Sequence, residues 1–501
     1  MNKIFRSAFT VATIGTFTRL IAFFYKIFLS RSVGAEELGS YQIALSVFFT
    51  LSTLCSGGIP LALSRRVAAS QSDDQRNRYV TSAVIICEVV AVVLCATIYL
   101  SPAVRGLLVK GAAENVLLCL MPALLSTALY STIRARFWGM GNFSAYSFTE
   151  TLEGIVRAGM GVLLIGTNAM GSGIIGASVA FVASDMISAI ILTVLFAKSG
   201  GRLSRPDSIS PLIKSAIPMT SVRFFAELTT SLTAILIPRI MIGSNVPATD
   251  ALAEFGRMSG MVLPVLMIPS TLIGSLTVVI VPELASDVAR GNTLAVRRKL
   301  NISLRFAVLI AALTMAVLLP LGKGIGNLLF GDERAGQLIA LCAPICLVMN
   351  LSGVSASGLN SLGKERLTMR NYVIGATLSV LVVCALTARI GIYSMPLGML
   401  ASNLLTSALN LCNLAKISRI EKGLWATSGV AVLCALSASS VSLAASKIVG
   451  TNGIPALLIC AVVSVATYLV LCSLLGVVEI KYLFSSIKKS PVQKSCRGKS
   501  A

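Results

Sequence analysis

The chain reads as a series of apolar runs, each close to twenty residues long, broken by short polar segments that carry most of its charge. A helix of ~20 apolar residues is long enough to cross the ~30 Å hydrocarbon core of a bilayer. On this pattern fourteen helices are predicted, at 9–33, 41–63, 80–100, 115–137, 144–166, 173–197, 210–240, 252–282, 303–322, 336–358, 370–389, 394–415, 424–446 and 455–478.

Composition agrees. Of 501 residues, 55% are hydrophobic and 12% charged, with a mean hydropathy of +0.86; soluble domains sit near ~45–50% and ~25%. The expected class is an all-α polytopic membrane protein. A net charge of +22 in a soluble chain would suggest nucleic acid, but no basic patch is interleaved with aromatics, so no nucleic-acid partner is expected. With the N-terminus inside, 29 of the 42 Lys and Arg fall in cytoplasmic segments and nine in outside loops, as the positive-inside rule requires. Both termini are therefore expected in the cytoplasm of a multi-pass cell-membrane protein, here read as a monomer. Lys3 and Arg6 open a permanent first span and not a cleaved signal, because Arg19 and Lys26 interrupt the apolar run and no clear cleavage site follows.

Histidine is absent, and eleven of the 12 cysteines lie in apolar segments, with Cys496 in the tail. Neither a cofactor nor a metal centre is expected from such a set. The stretch "GSGIIG" at Gly171–Gly176 matches a dinucleotide fingerprint, but it opens an apolar span and reads as close helix packing through small residues. With short loops and no nucleophile or paired-carboxylate motif, the chain is not expected to be an enzyme.

A faint repeat runs through the chain. Pro60 and Pro282, Ser64 and Ser286, and Gly141 and Gly363 are each 222 positions apart, with six helices between equivalent points. This predicts two parallel six-helix lobes, 1–200 and 201–420, then two further helices over 421–480 and a basic cytoplasmic tail over 481–501. Two such lobes suit alternating access to a site at their interface.

A cation at a helix centre costs ~2.5–3.5 kcal/mol on insertion scales, so intramembrane charges face a cavity or a partner. Arg19 and Lys26 lie seven residues apart, on one helix face and about 10 Å apart along the axis. No acid sits three or four positions from either. They either snorkel or pair with Glu88 or Asp185, or else they line a wet cationic cavity with Arg223, suited to a phosphorylated head group. Glu153–Arg157 and Arg223–Glu227 are each spaced for a local ion pair. The substrate-binding candidates are Arg19, Lys26, Arg223, Arg157 and Glu153; the coupling-ion candidates are Glu88, Asp185 and Glu227.

The stretches "TRLIAFFYKIFLSRSVGAEELGSYQIA", "GGIPLALSRRVA", "RFWGMGNFSAYSFTETLEGIVR", "VIVPELASDV" and "LNSLGKERL" resemble the stage V sporulation protein B group of polysaccharide transport proteins. That group belongs to the multidrug/oligosaccharidyl-lipid/polysaccharide (MOP) exporter superfamily, with the lipid II and O-antigen flippases and the MATE-like drug exporters. The resemblance implies two six-helix lobes around a V-shaped cavity, and flipping of an undecaprenyl-diphosphate-linked saccharide such as a peptidoglycan precursor or polysaccharide repeat unit. It also implies cavity-lining roles for Arg19 and Lys26, and more loosely for Arg223. Trp138 is a departure, since many members carry Gln there. A coupling cation or the membrane potential would supply the energy, and membrane lipids would surround the chain. Two alternatives stay open: a drug/cation antiporter of the same superfamily, and a non-transporting scaffold for envelope assembly.

Overall fold

The computed structural model describes residues 3–207, 209–418, 423–450 and 453–476; the expected basic tail at 481–501 lies outside them. The first half of the chain forms α1 (Lys3–Ser56), α2 (Ile59–Ala69), α3 (Asp73–Leu100), α4 (Pro102–Leu108), α5 (Ala112–Leu120), α6 (Pro122–Gly139), α7 (Phe143–Gly166) and α8 (Gly173–Lys198). The second half forms α9 (Ser210–Gly243), α10 (Ala248–Gly256), a π-helical turn (Arg257–Val262), α11 (Leu263–Leu266), α12 (Ile268–Ala289), α13 (Thr293–Phe330), α14 (Glu333–Cys342), α15 (Ile345–Ser361), α16 (Glu365–Ile390) and α17 (Ser394–Ser418). Helices α18 (Gly423–Val449) and α19 (Ile454–Leu474) follow and pack on α13.

Among the described residues, eight helices are long and apolar enough to span a membrane, or ten if each of two bent pairs is one span. That is fewer than the fourteen expected. The first two expected spans run together through α1, kinked at Gly34 (φ 77), and two more run together as α16 and α17 across the turn at 391–393. Helix α7 carries Glu150, Glu153 and Arg157, which dilute its hydropathy.

The repeat extends further than the sequence matches suggested. The two bent pairs, α5 with α6 and α14 with α15, turn by 41° and 55°. Their bends fall at Pro122 and Pro344, again 222 apart. Gly141 and Gly363, just beyond each pair, both adopt φ 69, a left-handed conformation that suits glycine after a helix end. Proline also explains how α18 and α19 are held. Pro320 has no N–H to give the carbonyl of Ala316 in α13. That carbonyl instead accepts from Ser439 of α18 at 3.3 Å and Ser464 of α19 at 2.7 Å.

The two halves meet along the second leg of α1, at both of its ends. At the end that the charge bias assigns to the outside, Gly39 of α1 and Gly256 of α10 face each other, and a Cβ on Gly256 would sit 2.6 Å from the Gly39 nitrogen. At the opposite end, Gly58 donates its N–H to the Thr220 hydroxyl of α9 at 2.9 Å. Small residues let these backbones approach where apolar side chains gain little from leaving lipid.

Two arginines reinforce the outer end, one from each half. Arg31 of α1 reaches the last carbonyls of α13, with Nε donating to Leu329 O at 2.8 Å and a second nitrogen to Leu328 O. Arg239 of α9 reaches the last carbonyls of α4, donating to Leu107 O at 2.6 Å and Gly106 O at 3.4 Å. Gly106 and Leu107 stand 222 positions before Leu328 and Leu329, so the contacts are reciprocal within the repeat. Unpaired carbonyls at a helix C-terminus carry partial negative charge, which a guanidinium satisfies.

Candidate functional site

A cavity of about 380 Å³ lies between these two seams. Gln42, Leu45, Ser46 and Phe49 of α1 form one wall, within the leg whose ends are pinned at Gly39 and Gly58. The other walls belong to the second half of the chain: Glu227, Thr229, Thr230 and Thr233 of α9, Phe255 and Ser259 beside the π-helical turn, Ser352 of α15, Tyr372 and Ser379 of α16, and Ser402, Asn403 and Thr406 of α17. Among the described residues it has one carboxylate and no cation.

Several of these polar groups present acceptors. A Ser or Thr in a helix commonly donates its hydroxyl proton to a carbonyl one turn back. Thr229 does so to Phe225 O at 2.8 Å, Thr230 to Ala226 O at 3.1 Å, Thr233 to Thr229 O at 2.8 Å and Ser259 to Phe255 O at 2.7 Å. Asn403 likewise donates Nδ2 to Met399 O at 2.8 Å, which leaves its Oδ1 free to accept.

The cations expected at a cavity do not line this one. Arg223 donates to the Gly57 carbonyl at 2.9 Å, tying α9 to the inner end of α1. Arg19 and Lys26 are exposed, do not line the cavity, and have no ion pair among the described residues. The neighbouring residue Thr18 meets Thr151 of α7 at 3.2 Å, and Tyr25 lies against Gly161 of the same helix. A step of ~100° per residue carries Arg19 and Lys26 around the helix, away from α7. The expected alternative of pairing with Glu88 or Asp185 is not seen either.

The remaining candidates lie inside the first half of the chain. Glu153 and Arg157 form an ion pair; Arg157 also reaches Ser184 at 3.2 Å and stacks 4.1 Å from the Phe181 ring. Asp185 accepts from Ser126 at 2.8 Å and Thr127 at 2.7 Å. Glu88 of α3 keeps one buried oxygen without a hydrogen-bond partner. None of Glu153, Arg157, Asp185 or Glu88 lines the cavity. Of all the sequence candidates, Glu227 alone does.

Two arginines at the end of the expected 115–137 span belong to the packed structure. Arg136 is fully buried in α6, donating to the Ser199 hydroxyl at 2.8 Å and lying 4.9 Å from the Phe196 ring. Arg134 sits among Tyr130, Trp138 and Tyr146, 4.6 Å from the Trp138 ring. The departure at Trp138 thus completes an aromatic enclosure for a cation. The cavity hydroxyls were overlooked in the sequence, and the available signal was the run "ELTTSLT", a polar stretch inside an apolar span.

Comparison with known proteins agrees with this fold. The chain is 23% identical over 451 residues to stage V sporulation protein B of Bacillus subtilis (strain 168), covering 85% of this chain and 87% of that one. It is 19% identical over 361 residues to sporulation protein YkvU of the same organism, covering 68% and 76%. Its structure superposes on the lipid II flippase MurJ in an inward closed conformation with a TM-score of 0.72 at 15% identity, covering 96% of this chain and all of that one. An inward-facing MATE-family multidrug resistance transporter of the MOP superfamily matches with a TM-score of 0.67 at 14% identity, covering 80% and 95%. The fold is thus that of MurJ and the MATE transporters. The family described as polysaccharide biosynthesis protein matches residues 4–287, more than half of the chain, and this protein is a member of it.

Proposed function

We propose that the protein carries an undecaprenyl-diphosphate-linked saccharide from the cytoplasmic to the outer leaflet of the cell membrane by alternating access. The observation that carries this reading is a polar cavity enclosed between two seams, each a close contact between the two halves of the chain. Opening one seam while keeping the other would expose the cavity to one face at a time.

In this reading residues 1–200 and 201–420 are the two rocking lobes, 421–480 add a helix pair, and the fourteen spans leave both termini in the cytoplasm. Arg223 stands one helical turn from Glu227, at the edge of the cavity, and is released for a diphosphate when its bond to Gly57 opens. Arg19 and Lys26 lack acidic partners among the described residues and provide the remaining positive charge along the route. The polyprenyl tail stays in lipid. Glu227 and Glu88 remain the acids available to a coupling cation, and a monomer suffices. Glu153, Arg157 and Asp185 are assigned to holding the first lobe together.

A drug/cation antiporter is the second reading, favoured by one fact: the single charge in the cavity is an acid. Binding separates the two. Purified protein in detergent is expected to bind undecaprenyl diphosphate lipids more tightly than neutral lipids or cationic drugs. A preference for the drugs would overturn the flippase reading.

A further inference from the structure

We infer that the cavity receives the carbohydrate part of the transported lipid and admits only saccharides that are neutral or bear a free amine, excluding those with carboxylate groups. This rests on the function proposed above and adds to it a rule for the sugar.

The argument is one of donors and acceptors. Thr229, Thr230, Thr233 and Ser259 spend their hydroxyl protons on carbonyls of their own chain, and Asn403 spends one of its two amide protons in the same way. The remaining capacity of the four hydroxyls toward the cavity is lone pairs, while Asn403 keeps Oδ1 and one N–H. Glu227 adds a carboxylate, which only accepts when ionised. A sugar ring brings several O–H donors, and an amino sugar adds N–H, so each finds a partner on these walls. A uronic acid or other carboxylate-bearing unit brings more acceptors and a negative charge. It would meet no cation among the described lining residues and would lie against Glu227. A carboxylate buried without a cation and set against a second carboxylate is strongly disfavoured, and rejection by such a mismatch is how sites gain specificity.

The aromatic side chains fit the same ligand. Phe49 from α1 and Phe255 and Tyr372 from the second half supply apolar ring faces beside the hydroxyl walls. The volume of about 380 Å³ lies at the small end of ordinary ligand sites, which suits one or two sugar units. The diphosphate, which is anionic, belongs outside this chamber with Arg223.

The test uses the full chain in detergent and three probes: undecaprenyl diphosphate alone, the same lipid carrying an uncharged N-acetylated disaccharide, and the same lipid carrying a disaccharide with one uronic acid. Wild type is expected to bind the uncharged glycolipid about tenfold more tightly than the uronate lipid. Glu227→Gln is expected to narrow that gap to about threefold or less. Thr230→Val, which keeps the charge and the shape, is expected to weaken the uncharged glycolipid and not the bare lipid. Equal wild-type affinity for the two glycolipids would overturn the inference, and so would a gap unaltered by Glu227→Gln in protein of normal melting temperature. Failure of all three lipids to bind would instead overturn the flippase reading.

Discussion

Two pairs of charges with the same spacing meet different fates. Glu153 and Arg157 in α7 form an ion pair, whereas Arg223 and Glu227 in α9 do not: Arg223 reaches across to Gly57 and Glu227 lines the cavity. Order along the helix is part of the reason, since an acid placed N-terminal to its basic partner is the better arrangement. Surroundings are the rest. Arg157 is held from three sides, by Glu153, Ser184 and the Phe181 ring, within the packed first half of the chain. An intramembrane charge therefore marks a site only after its partners are counted. Arg157 and Asp185 find theirs on neighbouring helices, whereas Glu227 faces the cavity.

That contrast can be broken experimentally, and the largest effect belongs to the closed pair. Arg157→Ala strands Glu153 and is expected to destabilise the protein by ~3–5 kcal/mol, read as a fall in melting temperature and expression. Replacing both residues by apolar side chains of similar size should recover most of that loss.

The outer contacts come next. Arg31→Ala and Arg239→Ala each remove hydrogen bonds to helix-end carbonyls, worth ~1.5–3 kcal/mol for a charged donor. Since both hold the outer ends of the two halves together, each change is expected to shift the population toward an outward-open state. Spin-label distances across that end would lengthen, and the double variant would shift further, because the two contacts share no residue. Asp185→Ala leaves Thr127 without its acceptor, while Ser126 keeps the Ala123 carbonyl, and is expected to cost ~1–3 kcal/mol, again visible in melting temperature. The smallest stability effect is expected for Glu227→Gln, below ~0.5 kcal/mol, because the side chain is only half-buried and makes no ion pair. Its effect should appear in ligand preference. A large loss of stability there, or none at Arg157, would erase the distinction between the halves.

Much of the fold was legible in the sequence because lipid imposes it. Apolar runs must be helical to satisfy their backbones, and the Pro60–Pro282 and Gly141–Gly363 spacings exposed the repeat. Breaks were harder to read: Gly34 kinks one continuous α1, and the bends at Pro122 and Pro344 are set by packing as well as by the ring. The site was read only in part. Arg19 and Lys26 stood out as costly, but no spacing rule says which way a helix face points once the segments assemble. Glu227 was found because it is an acid in an apolar run. The threonines beside it were missed because a hydroxyl that satisfies its own helix looks inert until the cavity beside it is seen. Burial of Arg136 was not legible because its partner, Ser199, lies 63 residues away.

Transbilayer movement in reconstituted vesicles tests the central claim most directly. Liposomes containing the wild-type protein should move a fluorescent undecaprenyl-diphosphate saccharide from one leaflet to the other much faster than empty liposomes, and the Arg19→Ala/Lys26→Ala variant, inserted at equal density, should lose most of that rate. Wild-type vesicles no faster than empty ones, or a double variant as fast as wild type, would contradict the account.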